Sequence, residues 1–295
     1  MTIEYGQIWQ LGNHRLMCGD ATLKEDIDKL LDGEKATLCF TDPPYGVNAV
    51  EVKRNIVGGT GSLLRGKEED TTHTGRTSGH DKFTKSWRDA GLLKLKEQSS
   101  RQCSHSKRGY PSRSPSLESC PPPRLYEPII GDDSTNSARS HFEIIKDRSD
   151  NQIIFGGNYF ADFLPVRKCW LVWDKQNGHN NNFADGELAW TSFNKPLKIY
   201  QWRWSGMIRK GERRIELKER IHPTQKPVGL IQMILEDFSK DGDSVVDCFV
   251  GSGSTLIACE IINRTCYAME LSPTYCEKII DRWETFTGQK AVRIA

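Results

Sequence analysis

No apolar run in this chain approaches the ~20 residues that a membrane-crossing helix requires. The first residues, Met1-Thr2-Ile3-Glu4-Tyr5-Gly6, hold neither a basic stretch nor an apolar one. They do not read as a secretory leader, so a cytoplasmic location is expected. Nine cysteines are present, but none has a partner at metal-ligand or small-scaffold disulfide spacing. Cys103, His105 and Cys120 in particular lack zinc spacing, so no metal is expected. Buried, reduced thiols are the plain reading. Apolar residues are also scarce: the hydrophobic share is 37%, which implies that part of the chain builds no core.

What is present is unevenly distributed. The net charge of the 295 residues is only +2. Residues 51–126 hold 15 Lys+Arg against 8 Asp+Glu, so the rest of the chain is acidic. The same stretch contains Gly58-Gly59-Thr60-Gly61-Ser62, and from 98 to 124 it is rich in Ser, Arg and Pro. Apart from a short helix expected around Trp87–Leu95, apolar periodicity is nearly absent. Residues 51–126 therefore read as a basic, loop-like or disordered insertion. Such a segment can grip phosphates or be a tolerated surface insertion.

Outside it, strands and helices alternate, which predicts an α/β fold with a mostly parallel, doubly wound sheet. Strands are expected at Thr37–Phe40, Gln152–Phe155, Cys169–Trp173, Ala189–Phe193, Ile199–Trp204, Ser244–Val246 and Thr265–Glu270. Helical spacing marks Val228–Phe238, Thr255–Ile262 and Pro273–Phe286, the last with Pro273 in its first turn.

Two motifs follow two of these strands. One is Thr41-Asp42-Pro43-Pro44-Tyr45-Gly46. The other, far downstream, is Asp247-Cys248-Phe249-Val250-Gly251-Ser252-Gly253-Ser254-Thr255. In the second, a strand, a glycine turn and a helix start bring free backbone amides close to a ligand. The third glycine of a dinucleotide fingerprint is missing, which excludes a Rossmann dehydrogenase. Glu270 ends the next strand, where a carboxylate can accept two ribose hydroxyls. Gly61–Glu68 nearly spells a phosphate loop, but Glu68 replaces the magnesium-binding hydroxyl. Cys120-Pro121 reverses the Pro-Cys order of enzymes that attack carbon 5 of cytosine through a thiolate.

Together the two motifs resemble those of DNA amino-methyltransferases that use S-adenosylmethionine, with the catalytic motif first, as in the beta group. His222-Pro223-Thr224-Gln225-Lys226-Pro227 resembles the segment leading into the helix beside the methionine part of the cofactor. Cys18-Gly19-Asp20-Ala21 resembles the motif whose acidic residue holds the adenine amine. The resemblance covers 14–48 and 129–288. It implies a seven-stranded, Rossmann-like methyltransferase sheet, with 1–50 and 127–295 as one domain and the cofactor half at 221–288. It also implies a prokaryotic or phage source.

The catalytic residues then implied are Asp42, Pro43, Pro44 and Tyr45. An exocyclic amine is a poor nucleophile because its lone pair is delocalised into the ring. Asp42 and the Pro43 carbonyl can each accept one amino hydrogen and draw that lone pair out. Tyr45 can stack on a base swung out of the duplex. The cofactor set is Asp20, Lys226, Pro227, Asp247, Phe249, Gly251, Ser252, Gly253, Ser254, Thr255 and Glu270. Asp at the first motif position resembles adenine-modifying members. Methylation of the 4-amino group of cytosine is the same-fold alternative, and an inactive DNA-binding relic is the alternative of another class.

Residues 198–220 hold eight Lys+Arg against three Glu, with Tyr200, Trp202 and Trp204 interleaved. This stretch lies where the family carries target recognition. Arg203, Arg209, Arg213 and Arg214 are the DNA-contact candidates, and Trp202 and Trp204 are expected in the core. The partners implied are double-stranded DNA, a cognate restriction endonuclease and a second copy of the chain.

Overall fold

The computed structural model describes residues 2–47, 129–177, 184–205, 208–209 and 220–295. The expected helix at Trp87–Leu95 and the whole basic insertion, 51–126, lie outside them. By contacts the chain divides into 1–59 with 128–295, and 60–127; the described elements belong to the first unit.

In chain order the elements are β1 (Ile8–Leu11), β2 (His14–Cys18), α1 (Lys24–Leu31), β3 (Ala36–Thr41), α2 (Asn136–Arg148), β4 (Ser149–Phe155), β5 (Trp170–Asp174), β6 (Gly186–Thr191) and β7 (Lys198–Gln201). Then come a two-stranded ribbon, β8 (Trp204–Ser205) and β9 (Ile208–Arg209), α3 (Val228–Phe238), β10 (Ser244–Asp247), α4 (Ser254–Ile261), β11 (Thr265–Glu270), α5 (Pro273–Thr287) and β12 (Val292–Arg293).

Ten strands form one sheet in the order β12-β1-β2-β11-β10-β3-β4-β6-β5-β7. The expected count was seven. The seven from β2 to β5 are present, and β1, β12 and β7 extend the edges. Strands β2, β11, β10, β3 and β4 are mutually parallel. Their neighbour β6 runs antiparallel to both β4 and β5.

The parallel strands are apolar at consecutive positions because both faces are covered. Met17, Cys39, Val246 and Met269 pack with Ile27, Leu30 and Leu31 of α1 and Ile145 of α2. The alternate residues Leu16, Leu38, Val245 and Ala268 are also fully buried. Helix α1 starts with Glu25 and Asp26 in its first turn, which suits the positive end of the helix dipole. It stops where Asp32 turns left-handed ahead of Gly33. Helix α3 is buried almost all round, and α5 begins on Pro273 and ends at a left-handed Gly288. Among the described residues seven cysteines are free and buried.

Permuted motif order is harmless in this sheet. Strands β3 and β10 are neighbours, with Leu38 opposite Val245 and Cys39 opposite Val246. Both motifs therefore leave the carboxyl ends of adjacent strands, where doubly wound sheets open a crevice.

Candidate active site

The two strand ends are tied together by Asp247. Its carboxylate accepts the Thr41 hydroxyl at 2.9 Å, the Thr255 hydroxyl at 2.6 Å and the Phe249 amide at 3.1 Å. Burial pushes this carboxyl up to about 6 while those donors pull it back. Asp247 was expected to bind cofactor. In the structure it joins β3, β10 and the start of α4 through these three donors.

The glycine turn above it is braced from several sides. Gly253 is left-handed, and a Cβ there would come within 2.9 Å of Ile279. The Ser254 hydroxyl donates to the Lys226 carbonyl at 2.9 Å, and Ser252 and Ser254 share a hydrogen bond. Arg282 of α5, which no motif marked, donates to the Ser252 carbonyl at 2.8 Å. These hydroxyls hold the turn, and the backbone is what the turn presents. Beside it, Glu270 accepts the amides of Gly251 and Ser272, each at 3.0 Å. Burial pushes its carboxyl up to about 7. Asp20 follows β2, the strand on the other side of β11, and the Gly19 amide donates to the Glu270 carbonyl at 3.1 Å. Thr22 uses one Asp20 oxygen through both its amide and its hydroxyl. Phe249 packs edge-on against the buried His141. Asp20, Phe249, Gly251 and Glu270 thus come together at the ends of three adjacent strands.

Asp42 follows β3 on the other side of β10. The Tyr45 hydroxyl donates to one of its oxygens. Lys226 binds the other at 2.8 Å. That lysine also contacts Glu187 of β6 at 2.8 Å, and Glu187 contacts Lys175 at 2.7 Å. The Phe155 ring lies 4.4 Å from the Lys226 ammonium. The Lys226 side chain thus points to the Asp42 carboxylate, while its carbonyl serves the glycine turn and Pro227 leads into α3.

Tyr45 lies on Gly156, which is left-handed. A Cβ there would sit 2.2 Å from the Tyr45 ring. Tyr45 stacks on Tyr159, with centroids 4.9 Å apart and planes 14° apart, and meets Phe160 edge-on. Tyr159 is exposed and was not foreseen. Past Tyr45, the Gly46 and Val47 amides donate to the buried Asp132 carboxylate at 3.1 and 3.3 Å. The chain thus leaves for residues 48–128 and returns at one place.

Of the DNA-contact candidates, Arg203 is exposed and Arg209 lies in β9. Arg213 and Arg214 are outside the described residues. Trp202 is buried as expected, while Trp204 is half-buried and starts β8 after a break in pairing. Among the described residues there is no cluster of metal-binding side chains and no helix long and apolar enough to cross a membrane.

The parallel strands of the sheet thus end in a glycine turn, an acidic strand end and a half-buried Asp-Pro-Pro-Tyr loop at one edge. The chain belongs to the DNA methylase family of the N6/N4 type, whose profile matches residues 36–281. The type II methyltransferase M.HpaI of Haemophilus parainfluenzae is 37% identical over 68 residues, which are 23% of this chain and 22% of that protein. The match thus spans about a fifth of that relative. The solved M1.HpyAVI–SAM complex is 18% identical at a TM-score of 0.45, covering 90% of this chain and 97% of that one. The PvuII cytosine-N4-specific DNA methyltransferase is 13% identical at a TM-score of 0.46, covering 97% of each.

Proposed function

We propose that this chain transfers a methyl group from S-adenosylmethionine to the exocyclic amino group of adenine in double-stranded DNA. The observation that carries the reading is the shared crevice. Asp42 and the glycine turn leave adjacent strands that Asp247 and Thr41 join at 2.9 Å.

The residues present fit the cofactor. Glu270 is a half-buried carboxylate, held high by desolvation, at the place where ribose hydroxyls would donate. Asp20 stands one strand further, for the adenine amine. The backbone of Gly251 to Gly253 offers close approach, and Phe249 supplies an apolar wall. When bound, the cofactor supplies a methyl group on a sulfonium. Asp42 and the Pro43 carbonyl accept the two hydrogens of the target amine, which turns its lone pair out of conjugation. Asp42 keeps acceptor capacity for this, because an ionised carboxylate has about four lone-pair sites and its protein partners use two. The exposed face of Tyr159, stacked on Tyr45, is a platform for an extruded base. Arg203 and the basic stretch 51–126 supply cations for the phosphates.

The residue type at Asp42 favours adenine, while the 4-amino group of cytosine calls for the same acceptors. The bonded, fully assembled Asp42 site speaks against an inactive relic. The test pairs two assays on one variant. Asp42→Ala should abolish transfer of a labelled methyl group to duplex DNA. By calorimetry it should bind the cofactor within about twofold of the unaltered protein, because Asp42 faces the target amine. Equal loss of both would break this division of labour.

A further inference from the structure

We propose that Lys226 and Glu187 are positioning residues for Asp42: Glu187 holds the Lys226 ammonium in place, and that ammonium fixes the Asp42 carboxylate as an ionised acceptor. The inference rests on the methyl-transfer reading and assigns Lys226 to the reacting amine's acceptor, away from the cofactor. Two of the three N–H groups of Lys226 go to carboxylates at 2.8 Å each. The ammonium is nearly enclosed, and Phe155 covers it at 4.4 Å. Little of it is left for a phosphate or a cofactor carboxylate.

Stability does not explain the row. Burying ions costs several kcal/mol each, and replacing such a cluster by apolar side chains is often neutral or better. The row does solve one chemical problem. Asp42 must be shielded from water to hold an amine, yet must stay charged to accept its hydrogens. Burial pushes its carboxyl up, Lys226 pulls it part of the way back, and Glu187 pushes it up again, so that it stays above the ordinary carboxylate range and depends on Lys226 for the charge it keeps. Burial also works against the charge on Glu187, but Lys226 and Lys175 more than offset this and hold it at about 2. Glu187 is therefore a permanent anchor, pinned from its far side by Lys175 at 2.7 Å.

The groups facing Asp42 are Lys226 ahead of α3, Glu187 on β6, Tyr45 on the loop and Asp247 on β10. Burial and the Asp42 charge push Tyr45 well up, so it donates throughout. Asp247 is common to all variants.

Two substitutions should then move the acid limb of the rate–pH profile in opposite directions. Lys226→Met removes the pull-down, so the limb moves to higher pH. Its kcat near neutrality falls by about 100-fold and partly returns as pH rises. Glu187→Gln removes a neighbouring negative charge, so the limb moves to lower pH. Its kcat falls by about tenfold because the ammonium is less well held. In both, KM for DNA and cofactor affinity should stay within about threefold. General damage to the fold would lower activity equally at all pH.

The same displacements should appear without turnover, in the carbon-13 titration of labelled aspartate carboxyls, with Asp42 assigned through Asp42→Asn. Opposite displacements in the two variants, when the unaltered protein transfers no methyl group, would sink the methyl-transfer reading and keep the wiring. Displacements of the same sign, or none, would overturn the proposal. So would a tenfold loss of cofactor affinity in Lys226→Met. If Lys226→Met does not fold, Glu187→Gln decides alone: a limb unmoved or moved upward overturns it.

Discussion

Glu270 and Asp247 are both acidic and on adjacent strand ends, Asp247 buried and Glu270 partly so, yet their surroundings give them different work. Asp247 has three donors from the protein itself. Glu270 has two amides, and burial holds its carboxyl near pH 7. Ribose hydroxyls would favour its ionised form, so its pKa must fall on cofactor binding. Near pH 6.5, therefore, binding releases a proton, and affinity rises as pH climbs through about 7 and then levels. Calorimetry in buffers of different ionisation enthalpy should detect that proton, and Glu270→Gln should lose both the release and the pH dependence. Asp247→Ala should act on the fold instead. It leaves the Thr41 and Thr255 hydroxyls and an amide without their acceptor, and each buried orphan costs about 1–3 kcal/mol. Urea unfolding should show a loss of about 3 kcal/mol, and an unchanged midpoint would contradict the clamp.

At the scale of elements, strong periodicity made some segments legible and polar lacing hid others. Strands β3, β10 and β11 and helix α3 are legible to within a residue or so, because their apolar positions are continuous or evenly spaced. Helix α1 is not, because its sequence, Lys-Glu-Asp-Ile-Asp-Lys-Leu-Leu, is mostly charged and only Ile27, Leu30 and Leu31 face the core. Helix α2 is hidden for a similar reason: polar residues dominate it, and His141 is among its buried positions. Strand β2 hides behind His14 and Arg15. The glycine turn and the Asp42–Tyr45 loop are visible as local strings. Glu187 is not, because its function depends on a contact 39 residues away in sequence, to Lys226. Gly156 is a further case: a lone Gly-Gly after a strand reads as a turn, yet here it is the floor under Tyr45. Gly156→Ala would drive a Cβ to 2.2 Å from that ring in a left-handed backbone. Displacing Tyr45 from Asp42 should lower kcat by about 100-fold, with cofactor affinity kept. A variant with unchanged kcat would show that the Tyr45 position is not tied to catalysis.

On the scale of the whole molecule, the described residues on either side of the basic stretch meet each other. Gly46 and Val47 meet Asp132, and Gly46 lies against the Ser134 backbone. Removing residues 55–124 with a short Gly/Ser bridge should therefore leave cofactor binding and the unfolding midpoint unchanged. DNA affinity should fall. The slope of log affinity against log salt should flatten by about 0.9 for each phosphate that the shortened chain no longer neutralises. An unchanged slope would make the stretch a passive insertion, and an unfolded variant would show that it builds core.

The central claim concerns one atom, the amino nitrogen that receives the methyl group. Duplex DNA incubated with the full chain and S-adenosylmethionine, then digested to nucleosides, can be weighed by mass spectrometry. The account predicts 6-methyladenine, and none with Asp42→Ala. Finding 4-methylcytosine alone would contradict the base assignment, and finding no methylated nucleoside would contradict the activity itself.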